Sequence, residues 1–375
     1  MKILYVLEHY HPHIGGVETV FKNICEGMAE RGHSVKVITT RLPGTQKKEE
    51  LNGVFIERIT TPAKMARYFF AFLSIPKTIK EAKKSDLIHT TTFSASFPAW
   101  LGGVFSGKKT IITVHEVWVN MWKKVTEKSR MSALAHNFLE KRIYSLNFDK
   151  YVCVSNATRR ELVKQKIDQS KVMTIHNGMD YEHWAPEKYD GKGIRKKLGI
   201  EKSFVYLGYG RPGTSKGFEY LIKAVPLISA EIKNSKLVMI LSKDKAYEKE
   251  YEKLTMLIER LGIKEKIIIL DPAGYAELPN YVKMADCIVV PSLSEGFGYT
   301  CIEGCAMKKP VVASNTASLP EVITGKGKLV NPADEKAIAE GVTAVFKGKT
   351  DIFPEKKFLW ETAIESYEKL YKELA

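Results

Sequence analysis

Residues 291–306 read PSLSEGFGYTCIEGCA. Pro291 and Ser292 close an apolar run, Gly296 and Gly298 build a loop, and a helix carrying Glu303 follows. A glycine-rich turn feeding a helix presents backbone amides, and the partial positive charge at the helix start favours phosphate or hydroxyl oxygens. Glu295 stands at the mouth of the turn, and Glu303 lies eight positions later, about two helical turns on. Carboxylates that far apart serve two separate sets of hydroxyl groups rather than one atom.

Around this stretch, short apolar runs alternate with helical patterns. Phe204 to Leu207, Leu237 to Leu241, Lys266 to Leu270, Asp286 to Val290 and Val311 to Ser314 read as strands. Phe218, Leu221, Ile222, Val225 and Ile228 share one helical face between the first two. Such alternation predicts a parallel sheet, whose ligands gather at the carboxyl ends of its strands. One of those ends leads into Gly210-Arg211-Pro212-Gly213-Thr214-Ser215-Lys216-Gly217. Two cations five residues apart, around a glycine loop at a helix start, suit a pyrophosphate. A solvated loop is the plainer reading of the same residues.

The first half repeats the pattern. Met1 to Leu7, Ser34 to Thr39, Val54 to Ile59, Asp86 to Thr90, Lys109 to Val114, Tyr151 to Val154 and Val172 to Ile175 read as strands. Val17, Val20, Phe21, Ile24, Cys25 and Met28 form a helical stripe that Gly32 ends. The loop from Glu8 to Glu18 leaves the first strand and contains Gly15-Gly16. That pair lacks the full G-x-G-x-x-G fingerprint, so a redox cofactor is poorly supported. Lys109 to Val114 delivers His115-Glu116 to a strand end, and Thr158-Arg159-Arg160-Glu161 has the form of a capping box that starts a helix. From Ala63 to Lys84, Tyr68, Phe69 and Phe70 stand beside Lys77, Lys80, Lys83 and Lys84, with Pro76 interrupting the helix. Aromatic residues beside lysines suit a membrane interface, and a core-facing helix with a solvated lysine side explains them equally well. Trp118, Met121, Trp122, Lys123 and Lys124 fit either a buried cap or an acceptor-binding surface. Asn177-Gly178 supplies a turn between the halves, and helices are expected at Ala333 to Phe346 and Phe358 to Leu374.

The 375 residues, 44% of them hydrophobic, suit two domains of ordinary size. The net charge of +15 is concentrated in the first half, where residues 1–180 carry 28 Lys and Arg against 16 Asp and Glu. Such a surface attracts anionic lipid or an anionic substrate; the cations are dispersed and no recognition motif accompanies them, so nucleic acid is the weakest partner. No stretch of about 18 uninterrupted apolar residues occurs, and Glu8 interrupts what would be a signal-peptide core, which leads to the expectation of a soluble, cytoplasmic protein. Cys25, Cys153, Cys287, Cys301 and Cys305 lack the close pairing of a zinc site and are expected as buried thiols. Only three glutamines among abundant Lys and Glu hint at a hot habitat.

The E-x7-E pair in the form EGFG, the G-R-x4-K-G loop, the YHPHIGGVE loop, TVHE and Pro320-Glu321 stand in the order found in the retaining glycosyltransferases of family 4. Spanning residues 15 to 321, the chain resembles that family. The resemblance implies an α/β fold of two Rossmann-like parallel-sheet domains facing a central cleft, the GT-B fold. Residues 1–178 would form the acceptor-side domain, residues 179–355 the nucleotide-sugar domain, and residues 356–375 a helix crossing back to the first. Glu295 with Gly296, Phe297 and Gly298 would hold the donor sugar, Glu303 the ribose, and Arg211 and Lys216 the leaving diphosphate. Gly15 and Gly16 would face that diphosphate, and His115 the transferred sugar. His115, Arg211, Lys216 and Glu295 then make up the catalytic set.

The activity implied is transfer of a hexose from a nucleoside-diphosphate sugar to a glycan or lipid-linked acceptor. It would use no cofactor beyond the donor itself and, since the chain contains no D-x-D pair, no metal. Peripheral contact with an anionic membrane, on the inner face of the cell membrane, is a further expectation. The rival readings are an epimerase of the same fold and a membrane-associated sugar-nucleotide-binding protein without catalysis. Two positions depart from the family pattern. Ala317-Ser318 replaces the glycines usual before Pro320-Glu321, and Asp271-Pro272 stands where a glycine is common near the nucleobase.

Overall fold

The computed structural model describes residues 1–13 and 15–375; Ile14, within the Glu8 to Glu18 loop, lies outside the described residues. In chain order the first half contains β1 (Lys2–Val6), α1 (Gly16–Glu30), β2 (Ser34–Thr40), β3 (Lys48–Leu51), β4 (Val54–Ile59), α2 (Ala66–Leu73), α3 (Ile75–Ala82) and β5 (Leu87–Thr91). It continues with α4 (Ser96–Ser106), β6 (Lys109–Val114), α5 (Trp122–Val125), α6 (Arg130–Tyr144), β7 (Lys150–Cys153), α7 (Asn156–Val163) and β8 (Val172–Thr174). The second half contains α8 (Lys192–Leu198), β9 (Phe204–Gly210), α9 (Phe218–Glu231), β10 (Ser235–Leu241), α10 (Glu248–Arg260), β11 (Ile267–Leu270), α11 (Leu278–Met284) and β12 (Cys287–Val290). After these come α12 (Tyr299–Ala306), β13 (Val311–Ser314), α13 (Leu319–Val322), β14 (Gly325–Val330), α14 (Glu335–Phe346), β15 (Asp351–Phe353) and α15 (Trp360–Leu374).

These elements form two compact units. The first comprises residues 1–119, 134–179 and 358–375; the second comprises residues 120–133 and 180–357. The first unit holds an eight-stranded sheet in the order β3-β4-β2-β1-β5-β6-β7-β8, all parallel except the β3 edge. Ile3, Leu4, Tyr5 and Val6 are all buried, as expected of a central parallel strand covered on both faces. The strand order reverses at β1, which pairs with β2 on one side and β5 on the other. Helix α15 packs on this unit. Gly27 of α1 admits it, since a Cβ there would meet Ile364 Cδ1 at 2.4 Å. Its Tyr367 and Tyr371 enter a buried polar cluster: His89 shares Nδ1 with the Tyr371 hydroxyl at 2.6 Å and Nε2 with Thr113 Oγ1 at 2.8 Å. Tyr5 and Tyr371 pair their hydroxyls at 3.1 Å, and Tyr367 and Thr113 theirs at 3.2 Å.

The second unit holds a seven-stranded sheet in the order β11-β10-β9-β12-β13-β14-β15, parallel except for β15. Its core sets Leu221, Ile222, Val225 and Ile228 of α9 against β10 and α14. Here the order reverses between β9 and β12, which pair in parallel. Residues 120–133 join this unit: Thr214 Oγ1 donates to Glu127 at 3.1 Å, and Lys253 pairs with the same carboxylate. Among the described residues no helix is long and apolar enough to cross a membrane.

Three strands escape the sequence reading: β3, β14 and β15. β3 is the charged edge Lys-Glu-Glu-Leu, and β14 is interrupted by glycines and lysines, so neither shows an apolar run. The helix start expected at Thr158 is corrected as well. α7 begins at Asn156, and Ser155, the residue after the β7 end and Val154, caps it by accepting from the Thr158 amide at 3.1 Å. A chain that turns into a helix directly at the strand end uses the first available hydroxyl.

Candidate functional site

The two motifs of the second unit follow the two strands at which the order reverses. β9 ends at Gly210 and leads to Arg211; β12 ends at Val290 and leads to Pro291. Adjacent parallel strands that continue in different directions open a crevice beyond their carboxyl ends, the usual ligand position in such sheets. The loops are then locked together by main-chain contacts. The Leu293 amide donates to the Ser215 carbonyl at 2.7 Å, and a Cβ on Gly217 would come within 2.1 Å of the Pro291 carbonyl oxygen. Gly217 also has φ +66°, so only glycine fits both the close approach and the left-handed turn.

This locking brings the charged groups together. Lys216 Nζ donates to Glu295 Oε1 at 2.5 Å, and Ser292 Oγ donates to the same oxygen at 3.1 Å. Ser318 Oγ holds the loop from its other side by donating to the Glu295 carbonyl at 3.1 Å. Gly298, at φ +91°, caps α12, and its missing Cβ leaves room for Leu319. Phe297 is buried edge-on against Tyr299. On the following turn, Glu303 accepts from the Tyr209 hydroxyl at 2.6 Å. Burial is the strongest influence on Glu303 and lifts its pKa to about 7, against the hydrogen bond from Tyr209 and the charge of Lys216, which pull downward. Tyr209, Lys216, Ser292, Glu295 and Thr300 line one small cavity. Arg211 lies in the same loop, exposed, with its guanidinium 5.9 Å from the Tyr247 ring centre and donating to the Tyr247 hydroxyl at 3.3 Å.

The two departures have definite structures. Ala317 takes φ +49°, so it keeps a left-handed conformation that favours glycine. Ser318 supplies the bond to Glu295 already described. Asp271 pairs with Lys243, and farther along that loop the Tyr275 ring stacks on His183 at 4.2 Å.

On the first unit, Gly15 and Gly16 stand at the start of α1. A Cβ on Gly15 would meet Glu18 Oε2 at 2.3 Å, while Gly16 is exposed with nothing near its missing Cβ. Glu18 accepts from His13 at 3.0 Å if that ring is protonated there. In the loop before them, Glu8 accepts from Arg67 at 2.8 Å and Ser94 at 2.5 Å. Burial raises its pKa, but the bonds from His9, Arg67 and Ser94 outweigh that and hold it at about 2. His115 follows the β6 end, edge-on to Phe21 at 6.0 Å. Its Nε2 is out of solvent and without a hydrogen-bond partner, and burial lowers its pKa to about 4, so the ring is neutral at pH 7.

Tyr209, Ser292 and Ser318 did not figure among the expected site residues; Glu8 opens the Glu8 to Glu18 loop, which was expected as a candidate site. The only sequence signal for Tyr209 is a tyrosine in an apolar strand, whose hydroxyl needs a partner when buried. Among the described residues no group of three or more His, Cys, Asp or Glu is arranged to hold a metal ion.

Comparison with known proteins agrees with this organisation. Residues 14–183 match the model of glycosyltransferase family 4, and residues 191–357 match that of the glycosyl transferases group 1. An uncharacterized glycosyltransferase of Methanocaldococcus jannaschii is 28% identical over 99% of this chain and 98% of its own. A D-inositol 3-phosphate glycosyltransferase of Corynebacterium jeikeium is 24% identical over 96% of this chain and 92% of its own. Among solved structures, Anabaena HepE in complex with UDP and glucose superimposes with a TM-score of 0.75 at 18% identity, each chain fully covered.

Proposed function

Because the chain belongs to the GT-B glycosyltransferases, its first half to family 4 and its second to group 1, we propose that it moves a hexose from a nucleoside-diphosphate sugar to a glycan or lipid-linked acceptor, with retention of configuration. The observation that carries this reading is the meeting, at the β9 and β12 ends, of Lys216, Glu295 and the Tyr209–Glu303 pair. Lys216 and Arg211 neutralise the departing diphosphate, and the amides of Gly296 to Gly298 add fixed dipoles, so charge that develops on the leaving group meets preorganised donors. Glu295 holds hydroxyls of the transferred sugar and Glu303 those of the ribose. Gly15, Gly16 and His115 of the first unit contribute to the diphosphate and sugar contacts that the resemblance assigns to them. The acceptor hydroxyl attacks the anomeric carbon from the leaving-group side. Its oxygen forms the new bond as the bond to phosphate breaks, and its proton passes to the diphosphate.

The UDP and glucose bound by HepE support a nucleotide-sugar donor. A thermal-shift screen of nucleotide sugars tests it, since a donor bound only by the folded state raises the melting temperature. Glu303→Ala should weaken nucleotide affinity, whereas Glu295→Ala should mainly slow transfer; equal loss in both assays would contradict the division of roles. Turnover by purified enzyme should persist in a chelator, with Arg211 and Lys216 taking the part that a metal plays elsewhere, and abolition of turnover would count against that assignment.

A further inference from the structure

Helix α4 is amphipathic in the reverse sense. Its inner positions are Ser96, Ala99, Gly102 and Gly103, all buried. They are small because the helix lies close to its neighbours: a Cβ on Gly102 would meet Thr78 Cγ2 at 2.9 Å, and one on Gly103 would meet Thr110 Cγ2 at 2.3 Å. The outer positions Phe97, Leu101, Val104 and Phe105 recur at i, i+4, i+7 and i+8 and are all apolar, while Trp100 between them packs partly on the core. Val104 is 57% exposed and Phe105 61%. No charged residue occurs between Ser96 and Ser106. An ordinary surface helix turns its large apolar side chains inward.

Helix α2, which shares a core cluster with α4, repeats the arrangement. Phe70 alone is buried there, while Tyr68, Phe69, Phe72 and Leu73 are exposed. Cations are concentrated on α2 and α3 and at their ends. Residues 64–84 carry six Lys and Arg; Arg67 pairs with Glu8 and Lys77 with Glu57 and Glu81, which leaves Lys64, Lys80, Lys83 and Lys84 as the main cations of the stretch. Beyond the ends of α3 and α4, Lys83, Lys84 and Lys108 line an open groove of about 480 Å³ together with Lys2 and Asp86.

We propose that the α2–α4 face of the first unit docks on an anionic phospholipid bilayer, with Val104, Phe105, Phe72 and Leu73 entering the headgroup region and these lysines on lipid phosphates. Apolar side chains accompanied by cations match both layers of such a surface. Charge argues against a second copy as the occupant, because a symmetric contact sets Lys64, Lys80, Lys83 and Lys84 against themselves. This docking goes beyond the transfer reaction and stands or falls separately from it.

Co-sedimentation of the full chain with vesicles tests the proposal, using phosphatidylcholine alone and phosphatidylcholine with about 30% phosphatidylglycerol. Binding is expected to the mixed vesicles and to fade at high salt. The double substitution Val104→Ser with Phe105→Ser should weaken it by on the order of ten-fold or more. Lys83→Gln, Lys84→Gln and Lys108→Gln should each cost about five-fold on anionic vesicles. Should the α4 variant fail to fold by circular dichroism, Phe72→Ser with Leu73→Ser on α2 serves the same purpose. Binding that ignores both apolar pairs, or that is equal on neutral vesicles, overturns the proposal. So does a dimer in solution that Phe105→Ser dissociates, since a second copy would then be what covers the face.

Discussion

Replacing Glu303 with Gln should remove a pH dependence of stability that the wild-type site builds in. In the folded chain burial lifts this carboxyl from 4.5 to about 7. Between those values the folded protein holds a proton that the unfolded chain has released, so stability falls as pH rises, by about 1.4 kcal/mol per unit. The contribution is intact below pH 4.5 and has been lost once pH passes 7. Evaluated with these two values, wild type should lose about 2.5 kcal/mol of unfolding free energy relative to Glu303→Gln from pH 5 to pH 8. Urea unfolding of both proteins across that range supplies the measurement. The difference between proteins matters because His89 and His115 act in the opposite sense. Burial holds them at about 3 and about 4, so they cost stability as pH falls below 6.5, and they do so equally in both proteins. A difference that stays constant within about 0.5 kcal/mol over the range would refute the assignment of a desolvated Glu303.

Three other substitutions probe separate parts of the argument. Lys216→Ala removes the cation that pairs with Glu295 and should lower the transfer rate by roughly 10²–10³-fold, as loss of one preorganised donor does; a rate within a factor of two of wild type would remove Lys216 from the chemistry. Ala317→Gly relieves a left-handed residue at φ +49° and should stabilise the protein by about 1 kcal/mol in the same denaturation assay; a loss of stability would mean that the alanine methyl packs usefully there. Tyr371→Phe strips a buried partner from His89 and Tyr5 and should cost about 1–3 kcal/mol, with faster amide exchange along α15; unchanged exchange would show that the polar cluster does not hold that helix.

Legibility in the sequence followed the physics of each residue. β6 and β13 were readable to their last residue because both are rich in β-branched residues and bounded by glycine, lysine or proline signals. The apolar run marks β9 only as far as Leu207, three residues short of its end at Gly210, because two glycines interrupt the run there. Gly208 is in fact a strand residue whose missing side chain makes room for Leu221 Cδ2, 2.9 Å from where a Cβ would stand. That misreading hid Tyr209 and with it the partner of Glu303. Lys216 and Glu295 were legible individually, as charges beside glycine turns, but their contact depends on β9 and β12 being neighbours, a fact of topology that no local pattern contains. α4 posed the reverse difficulty. Its apolar run carries no sign of which side faces the sheet, and only the close approach at Gly102 and Gly103 shows that the small side is inside.

Two glutamates eight positions apart thus become different groups through their surroundings alone. Glu295 meets a lysine and a serine at the loop mouth, both bonded to its Oε1. Glu303, one helix start away, meets a tyrosine hydroxyl and little water, so its proton leaves only near neutrality. Lys216 connects the two: it bonds one and its charge lowers the pKa of the other. A lysine has three N–H donors, and the bond to Glu295 uses one. The remaining pair can turn to phosphate oxygens without breaking the ion pair, so a diphosphate can be neutralised by a cation whose position is already fixed. The arrangement rests on Gly217, because any side chain there would push the Lys216 loop off the Pro291 carbonyl and separate the cation from both acids.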